Sequence, residues 1–481
     1  MKIYNTMTKI KETVGAISPS EKADNAEIIN IYACGPTVYD RFHIGNARQL
    51  CVFDVLRRYL KYRGFKIKYV QNFTDVDDKI IKRANELGVS ASEVSENAIK
   101  DYFTDAQGLN IIEADIHPKV TENMGIIIDI IQTLIDKGYA YKAGVADSSL
   151  RDVYFCAEKF REYGKLSKMP LDELQAGASE RVSENEYKKA PMDFALWKAA
   201  KEGEPYWESP FGKGRPGWHI ECSAMVREYL GDTIDIHGGG ADLIFPHHEN
   251  EIAQSEAATG KPLASIWMHN EMINVDNKKM AKSRGNFFLV RDVAGAYGYE
   301  PIRFMLLAAH YRSKMNYTEE VMKSAQNAVE RLYNCENTIK RLLAGAKISA
   351  DGVSQAVAEI MNSHKKRFIE VMDDDLNTAD GIAVIFELVR EINKITALDD
   401  ASKDDIAALY DVLKELSGVL GLLYGNQSEE IPQEILELQK KREEARKDKN
   451  FVLADQIREK ITESGYTVEE TRQGTVIRKN V

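Results

Sequence analysis

The chain has 481 residues, of which 44% are hydrophobic and 29% are charged, with a net charge of −11. This length exceeds one ordinary core, so we expect two to four domains of a globular enzyme. No apolar run reaches the roughly 18 residues of a membrane span, the first residues lack the apolar core of a secretion signal, and five cysteines are too few for a disulfide framework. The composition therefore excludes membrane-spanning and disulfide-rich secreted proteins and favours a reducing cytoplasm.

The N-terminal part of the chain predicts a strand, a turn, a helix and a second strand. Apolar residues fill 28–33, helical spacing runs from Asn46 to Tyr62, and a second apolar run covers Lys66–Phe73. Such a βαβ unit belongs to a parallel sheet with helices on its faces. The same pattern returns at Thr233–Ile236, so we expect a Rossmann-like α/β catalytic domain with an insertion at 126–205.

Two short motifs in this region suggest chemistry on a nucleoside triphosphate. The first, from His43 to Asn46, contains Gly45, whose missing side chain lets a base and a triphosphate approach the backbone. The second contains Lys279 and Lys282, which can neutralise the charge that develops as pyrophosphate leaves. Each motif alone is weak. Together, in this order, they resemble the two signatures of class I aminoacyl-tRNA synthetases, which form acyl-adenylates.

Four residues from distant segments make a plausible zinc-binding set. They are Cys34, Cys222, His247 and Glu251. His247 and Glu251 are four residues apart and would share one face of a helix, and two thiolates, an imidazole and a carboxylate suit tetrahedral Zn²⁺. Isolated cysteines are more often core residues than ligands. His248 and Glu249 are equally available by composition, so the residues alone leave the ligand set open.

After about Tyr317 the pattern becomes helical. Apolar residues recur at spacings of three and four over Val321–Leu342, Ile382–Ile395 and Ile406–Leu423. We therefore expect an α-helical bundle at 318–425.

A polar break then leads into a small C-terminal domain at 426–481. We expect one charged helix over about 435–462, followed by a glycine-containing β-ribbon. From Leu438 to Val481 there are 11 Lys and Arg residues against 8 Asp and Glu residues, so this tail is positive in an acidic chain. Positive charge suits contact with nucleic acid, although a solvated helix has the same composition.

Longer segments resemble those of the bacterial cysteinyl-tRNA synthetases, and the resemblance covers essentially the whole chain. The matching segments are 34–40 leading into the first motif, 72–79, 193–198, 215–225, 237–255 and 442–475. The resemblance implies a linker domain at 273–317 that carries the lysine loop, between the catalytic halves (1–125 and 206–272) and the bundle, and an anticodon-binding domain at the C-terminus.

The resemblance also implies roles for individual residues. Cys34, Cys222, His247 and Glu251 match the family's zinc ligands. Thr74, Trp218 and His237 match its cysteine pocket. His43, Gly45, Asn46, Asp242, Lys279 and Lys282 match its ATP-binding and catalytic positions. Implied partners are ATP with Mg²⁺, L-cysteine and tRNA(Cys), and we expect a monomer with no membrane partner.

The sequence departs from the family's pattern at several positions. Ala281 replaces the usual serine of the lysine loop, and Arg284 replaces a leucine. Glu271 stands where a small glycine is more common. It would place a carboxylate near the path by which ATP enters its binding site. Ile477 replaces a tryptophan that would stack on an anticodon base, so anticodon discrimination is less secure than the core chemistry.

Two other functions fit parts of the pattern. A ligase that joins cysteine to an amino sugar shares the catalytic core but does not need the positive C-terminal tail. A zinc-storing or thiol-binding protein that has lost catalysis needs no lysine loop. A cysteine-tRNA ligase is the interpretation that uses every motif.

Overall fold

The structure is a computed structural model. It describes residues 1–15, 28–144, 151–169, 187–280, 286–345, 352–398, 402–425, 432–448, 450–464, 466–471 and 474–479. The chain divides into two compact units, Met1–Leu423 and Tyr424–Val481. Among the residues so described, no helix is long and apolar enough to cross a membrane.

The strands and helices follow one another along both units. The strands are β1 (Lys2–Asn5), β2 (Ile10–Thr13), β3 (Ile28–Ala33), β4 (Lys66–Gln71), β5 (Ala140–Ala143), β6 (Asp152–Phe155), β7 (Phe194–Ala199), β8 (Gly214–Pro216), β9 (Ile234–Gly240), β10 (Ala264–Asn270), β11 (Ile273–Val275), β12 (Lys278–Lys279), β13 (Met315–Tyr317), β14 (Tyr466–Thr471) and β15 (Gly474–Lys479). The α-helices are Ile44–Tyr62, Asp78–Leu87, Ala91–Gly108, Met124–Asp136, Trp218–Leu230, Glu249–Thr259, Val290–Tyr297, Tyr299–Leu307, Glu319–Gly345, Gln355–Asp373, Thr378–Thr396, Lys403–Val419, Gln433–Lys447 and Phe451–Glu463.

The central sheet of the first unit has four parallel strands in the order β10-β9-β3-β4. Strand β3 is apolar along most of its length because helices cover both faces of such a sheet. Ile29, Ile31 and Ala33 are fully buried. The predicted α/β sheet is confirmed, and its carboxyl ends lie side by side at one edge.

A second sheet follows the helix Met124–Asp136. Its strands run antiparallel in the order β5-β6-β7-β8. Trp197 on β7 is fully buried, in a hydrophobic core that also contains Ile131 and the two thiol-bearing residues Cys34 and Cys222. The second sheet therefore shares a core with the base of the candidate site.

Helices make up most of the first unit after β13, as predicted. The predicted stretches Val321–Leu342 and Ile382–Ile395 lie within the helices Glu319–Gly345 and Thr378–Thr396. The stretch Ile406–Leu423 begins within Lys403–Val419 and continues past the end of that helix. Leu332, Leu388 and Leu413 are fully buried in the main hydrophobic core.

The second unit corrects one prediction and confirms another. Instead of one helix over 435–462, two helices form, Gln433–Lys447 and Phe451–Glu463. The side chain of Asn450 accepts a hydrogen bond from the Leu453 N–H and begins the second helix, a capping role that asparagine fills well. The predicted β-ribbon is present as the antiparallel pair β14 and β15.

Candidate functional site

The carboxyl ends of β3, β4, β9 and β10 border a cavity of about 320 Å³. Open parallel sheets bind ligands at this edge because the loops that follow the strands surround it. Cys34 directly follows β3, and Asp242 lies two residues after the end of β9. Cys34, His43, Gly45, Asn46, Trp218 and Asp242 all line the cavity.

The four predicted metal ligands come together, and one of them, Cys34, lines this cavity. The ligand atoms of Cys34, Cys222, His247 and Glu251 all lie within 4.8 Å of one another, and all four residues are buried. The thiol of Cys34 donates to Glu251 Oε1 at 3.2 Å, and His247 Nε2 lies 3.0 Å from the same oxygen. Two sulfurs, a ring nitrogen and a carboxylate oxygen form a donor set suited to Zn²⁺.

Electrostatics within the group are strongly coupled. Burial raises the pKa of the Cys34 thiol. This thiol donates a hydrogen bond to Cys222 and thereby lowers the pKa of Cys222 to about 6, although burial alone would raise it. Burial also disfavours the charged forms of Glu251 and His247. Nevertheless His237 and His247 hold the pKa of Glu251 well below its usual range, and Glu251 and Cys222 raise that of His247 to about 10. A divalent cation on these atoms would take the place of the protons on Cys34 and His247.

The two residues that composition left open as ligands have other partners. His248 Nδ1 lies 2.7 Å from His269 Nε2. The Glu249 carboxylate accepts backbone hydrogen bonds from Gly164 at 2.9 Å and Ser167 at 2.8 Å. Glu249 therefore fixes a loop of the second sheet. His247 is the histidine of the four-residue group, whereas His248 converges with Cys34 and His237 in a second, three-residue group of buried ligand atoms.

The predicted cysteine-pocket residues occupy different depths. The Trp218 side chain is 39% exposed, lines the cavity, and lies with its ring centroid 4.4 Å from that of His247. Thr74 is buried and donates to Glu221 at 2.8 Å. His237 is fully buried, with Nε2 2.8 Å from Glu251 Oε2. Only Trp218 of the three faces the cavity.

The first motif begins the helix Ile44–Tyr62. His43 is its N-cap: Nδ1 accepts hydrogen bonds from the N–H groups of Gly45 at 3.0 Å and Asn46 at 3.3 Å, and Asn46 Oδ1 accepts from the His43 N–H at 3.3 Å. A side chain on Gly45 would meet the His43 ring and the end of Met280. The motif is thus held rigidly, with its glycine against the start of the lysine loop.

The lysine loop is described only in part. Lys279 lies on β12, where its backbone pairs with Asn274 on β11. Met280 and Phe287, on either side of the loop, line the cavity. Lys282, Ala281 and Arg284 lie outside the described residues, and the Ile477 side chain does too, although its backbone pairs with Val468.

Sequence reasoning did not single out Asn72 and Arg48. Asn72 Oδ1 accepts from the Gly35 N–H at 2.8 Å and lies 3.7 Å from Cys222 Sγ. Its position could have been predicted, since Asn72 directly follows a parallel strand and residues at such strand ends often border a ligand site. Arg48 is fully buried and donates to four backbone carbonyl oxygens. Nothing in an isolated arginine of a helical pattern predicts such a role.

The acidic run after β4 has a structural role. Asp77 caps the helix Asp78–Leu87 by accepting from the Lys79 N–H. Asp75 accepts from the Thr121 hydroxyl at 2.6 Å. Asp78 pairs with Lys198 at 2.8 Å and also with Arg215. These carboxylates cap and brace the fold.

Comparison with known protein families matches two regions of the chain. Residues 20–327 match the catalytic domain family described as tRNA synthetases class I (C). Residues 367–424 match the DALR domain. The first match covers more than half of the chain.

Individual relatives are similar over their full length. The chain is 51% identical to the cysteine–tRNA ligase of Caldicellulosiruptor saccharolyticus, covering 100% of both chains, and 50% identical to that of a Geobacillus species, covering 99% of this chain and 98% of that one. Among solved structures, Mycobacterium tuberculosis methionyl-tRNA synthetase with methionyl-adenylate superposes with a TM-score of 0.58 at 15% identity, covering 82% of this chain and 89% of that one. A ternary complex of Agrobacterium radiobacter LeuRS with tRNA and LeuAMS gives a TM-score of 0.58 at 11% identity, covering 84% of this chain and 86% of that one. These two likenesses concern the fold alone.

Proposed function

The chain belongs to the cysteine–tRNA ligases among the class I aminoacyl-tRNA synthetases, and we propose that its buried Cys–Cys–His–Glu group holds the zinc ion that selects cysteine. As a family member it is an ATP-dependent ligase that activates L-cysteine and transfers it to the 3′ end of tRNA(Cys). The observation that carries the zinc assignment is the convergence of four buried ligand atoms within 4.8 Å of one another.

The selection problem explains why a metal is useful here. Serine differs from cysteine by one atom, and an apolar pocket separates such near-isosteres by only about 1–3 kcal/mol. When bound by Cys34, Cys222, His247 and Glu251, Zn²⁺ supplies a soft Lewis acid that takes a thiolate far more readily than a neutral hydroxyl. Because Cys34 itself lines the cavity, the group is within reach of a substrate side chain. Selection at this point needs no editing domain.

We assign the surrounding residues to positions around the substrate side chain. Trp218 covers the pocket from the solvent side. His237 orients the Glu251 carboxylate, and Thr74 orients Glu221, since each hydrogen-bonds to that carboxylate. Thr74 and His237 thereby shape the cysteine pocket through their neighbours.

Activation of cysteine needs positioning and charge stabilisation. The cysteine carboxylate is already ionised at neutral pH and needs no general base to attack the α-phosphate. His43, Gly45 and Asn46 line the cavity and would bind ATP, and Asp242 would bind its ribose. Lys279 and Lys282, with Mg²⁺ on the phosphates, would neutralise the charge of the departing pyrophosphate.

The tRNA is assigned to both units. Catalytic halves at 1–125 and 206–272, with the insertion at 126–205 and the linker at 273–317, would bind its acceptor end. The bundle at 318–425 would support it, and the positive domain at 426–481 would contact the anticodon. We propose that the enzyme acts as a monomer in the cytoplasm, where a reducing environment keeps all five cysteines as the free thiols seen here.

The zinc proposal is tested by a matched pair of cysteine variants. Cys222→Ser removes one ligand, whereas Cys156→Ser changes a partly exposed thiol outside the group. Bound zinc is measured by elemental analysis, and charging of total bacterial tRNA is measured with labelled cysteine and, separately, with labelled serine.

We expect Cys222→Ser to lose its zinc and at least a hundredfold of its preference for cysteine, while Cys156→Ser keeps both. Loss of zinc with unchanged preference would overturn the selective role. A His248→Ala variant that loses zinc while His247→Ala retains it would overturn the ligand assignment. Cysteine-dependent ATP cleavage with no charged tRNA would point instead to a ligase that joins cysteine to an amino sugar.

A further inference from the structure

A separate cavity of about 180 Å³ lies between the helix Ile44–Tyr62, strand β4 and the helix Ala91–Gly108; we call it the side cavity. Three of its lining residues, Leu50, Gln71 and Tyr102, also line the larger cavity at the carboxyl ends of the central sheet, here called the catalytic cavity. Of the described residues assigned above to zinc, cysteine or ATP, none lines the side cavity. A ligand in it would therefore lie next to the catalytic cavity without occupying it.

Two buried hydrogen-bond donors at the side cavity have no partner. Arg57 and Gln71 both line the cavity, and each is only 2% exposed. Within the described part of the chain, neither Arg57 Nε nor Gln71 Nε2 has a hydrogen-bond partner. Leaving a buried donor unpaired is unfavourable, and a ligand that accepts hydrogen bonds would relieve this cost.

The remaining contacts of these two side chains hold them in place. Arg57 donates through its two terminal nitrogens to backbone carbonyl oxygens at 2.7 and 2.6 Å. Its guanidinium carbon lies 4.3 Å from the centroid of the Tyr69 ring. Gln71 Oε1 accepts a hydrogen bond from the Tyr102 hydroxyl at 2.6 Å. Both donors are therefore fixed before any ligand arrives, which lowers the entropic cost of binding.

The charges around the side cavity favour an anion. Asp54 also lines it, but this buried carboxylate already pairs with Arg58 and Arg303. Glu113 lines it as well, and its side chain is exposed, so that solvent screens its charge. Arg57 is left as a buried cation whose side chain is paired only with backbone oxygens. A carboxylate is the acceptor that a guanidinium binds most strongly.

The rest of the lining is mostly apolar and partly aromatic. It includes Tyr69, Phe103, Ala106 and Ile111. An apolar cavity of about 150 Å³ holds benzene, so the side cavity has room for one aromatic ring with a small substituent. An apolar chamber with a few placed polar groups is the usual form of a small-molecule site.

We propose that the side cavity binds a small aromatic monocarboxylate, which regulates activation of the amino acid. The carboxylate accepts hydrogen bonds from Arg57 Nε and Gln71 Nε2, and the ring lies against Tyr69 and Phe103. Because Gln71 also lines the catalytic cavity, a ligand that engages its amide withdraws a donor from that cavity. Occupancy of the side cavity therefore weakens substrate binding, and substrates weaken the ligand by the same factor.

The test uses benzoate and phenylacetate as probes, with benzamide as a neutral control of the same shape as benzoate. Gln107 is exposed and lines the side cavity, so Gln107→Phe should close its entrance. Thr104→Phe adds the same ring at an exposed position of the same helix outside the cavity. Binding to the full chain is measured by titration calorimetry without substrates. Activation is measured as cysteine-dependent ATP–pyrophosphate exchange at subsaturating cysteine and ATP.

We expect at least one of the two carboxylates to bind the wild type with a Kd of about 1 mM or tighter, as suits a ligand of this size. Benzamide should bind at least tenfold more weakly. Gln107→Phe should weaken carboxylate binding at least tenfold, whereas Thr104→Phe should keep it within twofold. Saturating probe should slow exchange at least threefold in the wild type and in Thr104→Phe, and should not slow it in Gln107→Phe.

Four results would overturn the proposal. Absence of binding by both carboxylates, or equal binding of benzamide, would refute recognition of an anion by Arg57. Undiminished binding to Gln107→Phe would mean that the probes occupy another place, such as the catalytic cavity. Binding that leaves exchange unchanged would refute the regulatory role. A wild type without exchange in the absence of any probe would instead count against the ligase assignment, and calorimetry would still decide whether the side cavity binds carboxylates.

Discussion

Arg48 should link the first signature motif to the strands that carry the lysine loop. It lies one turn into the helix that His43 begins and is fully buried. Its guanidinium donates to the carbonyl oxygens of Glu271 at 2.8 Å, Met272 at 3.2 Å, His310 at 3.1 Å and Ser313 at 2.6 Å. Arg48→Met keeps the length of the side chain and removes all four hydrogen bonds.

The expected cost follows from those four acceptors. A buried carbonyl left without a partner costs about 1–3 kcal/mol. Part of this cost is offset because the variant no longer buries a positive charge. Burial of that charge is unfavourable enough to lower the pKa of Arg48 to about 10. The net loss in the free energy of unfolding should therefore be about 3–5 kcal/mol, as for other broken buried charge interactions. Arg48→Lys should recover part of it, since its ammonium reaches fewer of the oxygens.

Urea unfolding followed by tryptophan fluorescence measures this loss. All four tryptophans lie before residue 424, so the signal reports the first unit. Exchange activity should show a kcat lower by about 10- to 100-fold with a KM for ATP that changes less, because Arg48 positions the motif without lining the ATP cavity. Lys61→Met, on the exposed side of the same helix, is the control. Stability within about 1 kcal/mol of wild type and an unchanged kcat would refute the reasoning.

Three further predictions concern other parts of the first unit. Glu271→Gln removes a carboxylate from the ATP cavity and should lower the KM for ATP about fivefold, roughly 1 kcal/mol; steady-state exchange kinetics that show a higher KM would contradict this. Glu249→Gln should cost about 1–3 kcal/mol of local stability at Gly164–Ser167, seen as faster amide hydrogen exchange there and not at Glu319–Gly345. Burial lowers the pKa of His117, so the folded state binds a proton less readily than the unfolded one. Stability should fall as the pH drops below about 6.5, by up to about 1.4 kcal/mol per pH unit, and His117→Gln should lose this share of the pH dependence in parallel urea titrations.

The sequence predicted those elements whose patterns are local. Apolar runs placed β3 and β4, and a helical repeat of apolar residues placed the helix Ile44–Tyr62, each to within a few residues. A buried parallel strand and a helix that packs on the sheet each have a characteristic pattern. The prediction of a single C-terminal helix was wrong. The run over 435–462 consists mostly of good helix formers, so its composition gave no clear sign of a break. The break depends on one capping asparagine, Asn450, that favours turns as readily as caps.

The sequence proposed which residues form the candidate site, and the structure supplied their geometry. Residues that follow parallel strands meet at one sheet edge, which is why Cys34 and Asp242 line the same cavity. Distinguishing His247 from His248 needed the turn at Ile244–His248 that precedes the helix Glu249–Thr259. That turn directs two adjacent histidines to different partners, which no spacing rule contains.

The proposed zinc site would also explain why this group of residues comes from separate segments of the chain. Cys34 follows β3, Cys222 lies in the helix Trp218–Leu230, and Glu251 lies in the helix Glu249–Thr259. A metal bound to all of them would hold the end of the central sheet against two helices. The same metal–ligand bonds would then form the substrate pocket and stabilise the local fold. Loss of the metal should therefore loosen the carboxyl end of β3 as well as cysteine selection. Stripping zinc with a chelator should speed hydrogen exchange at Cys34–Thr37 and leave the buried strand interior around Ile31 protected; equal exchange with and without the metal would show that the fold holds this site without it.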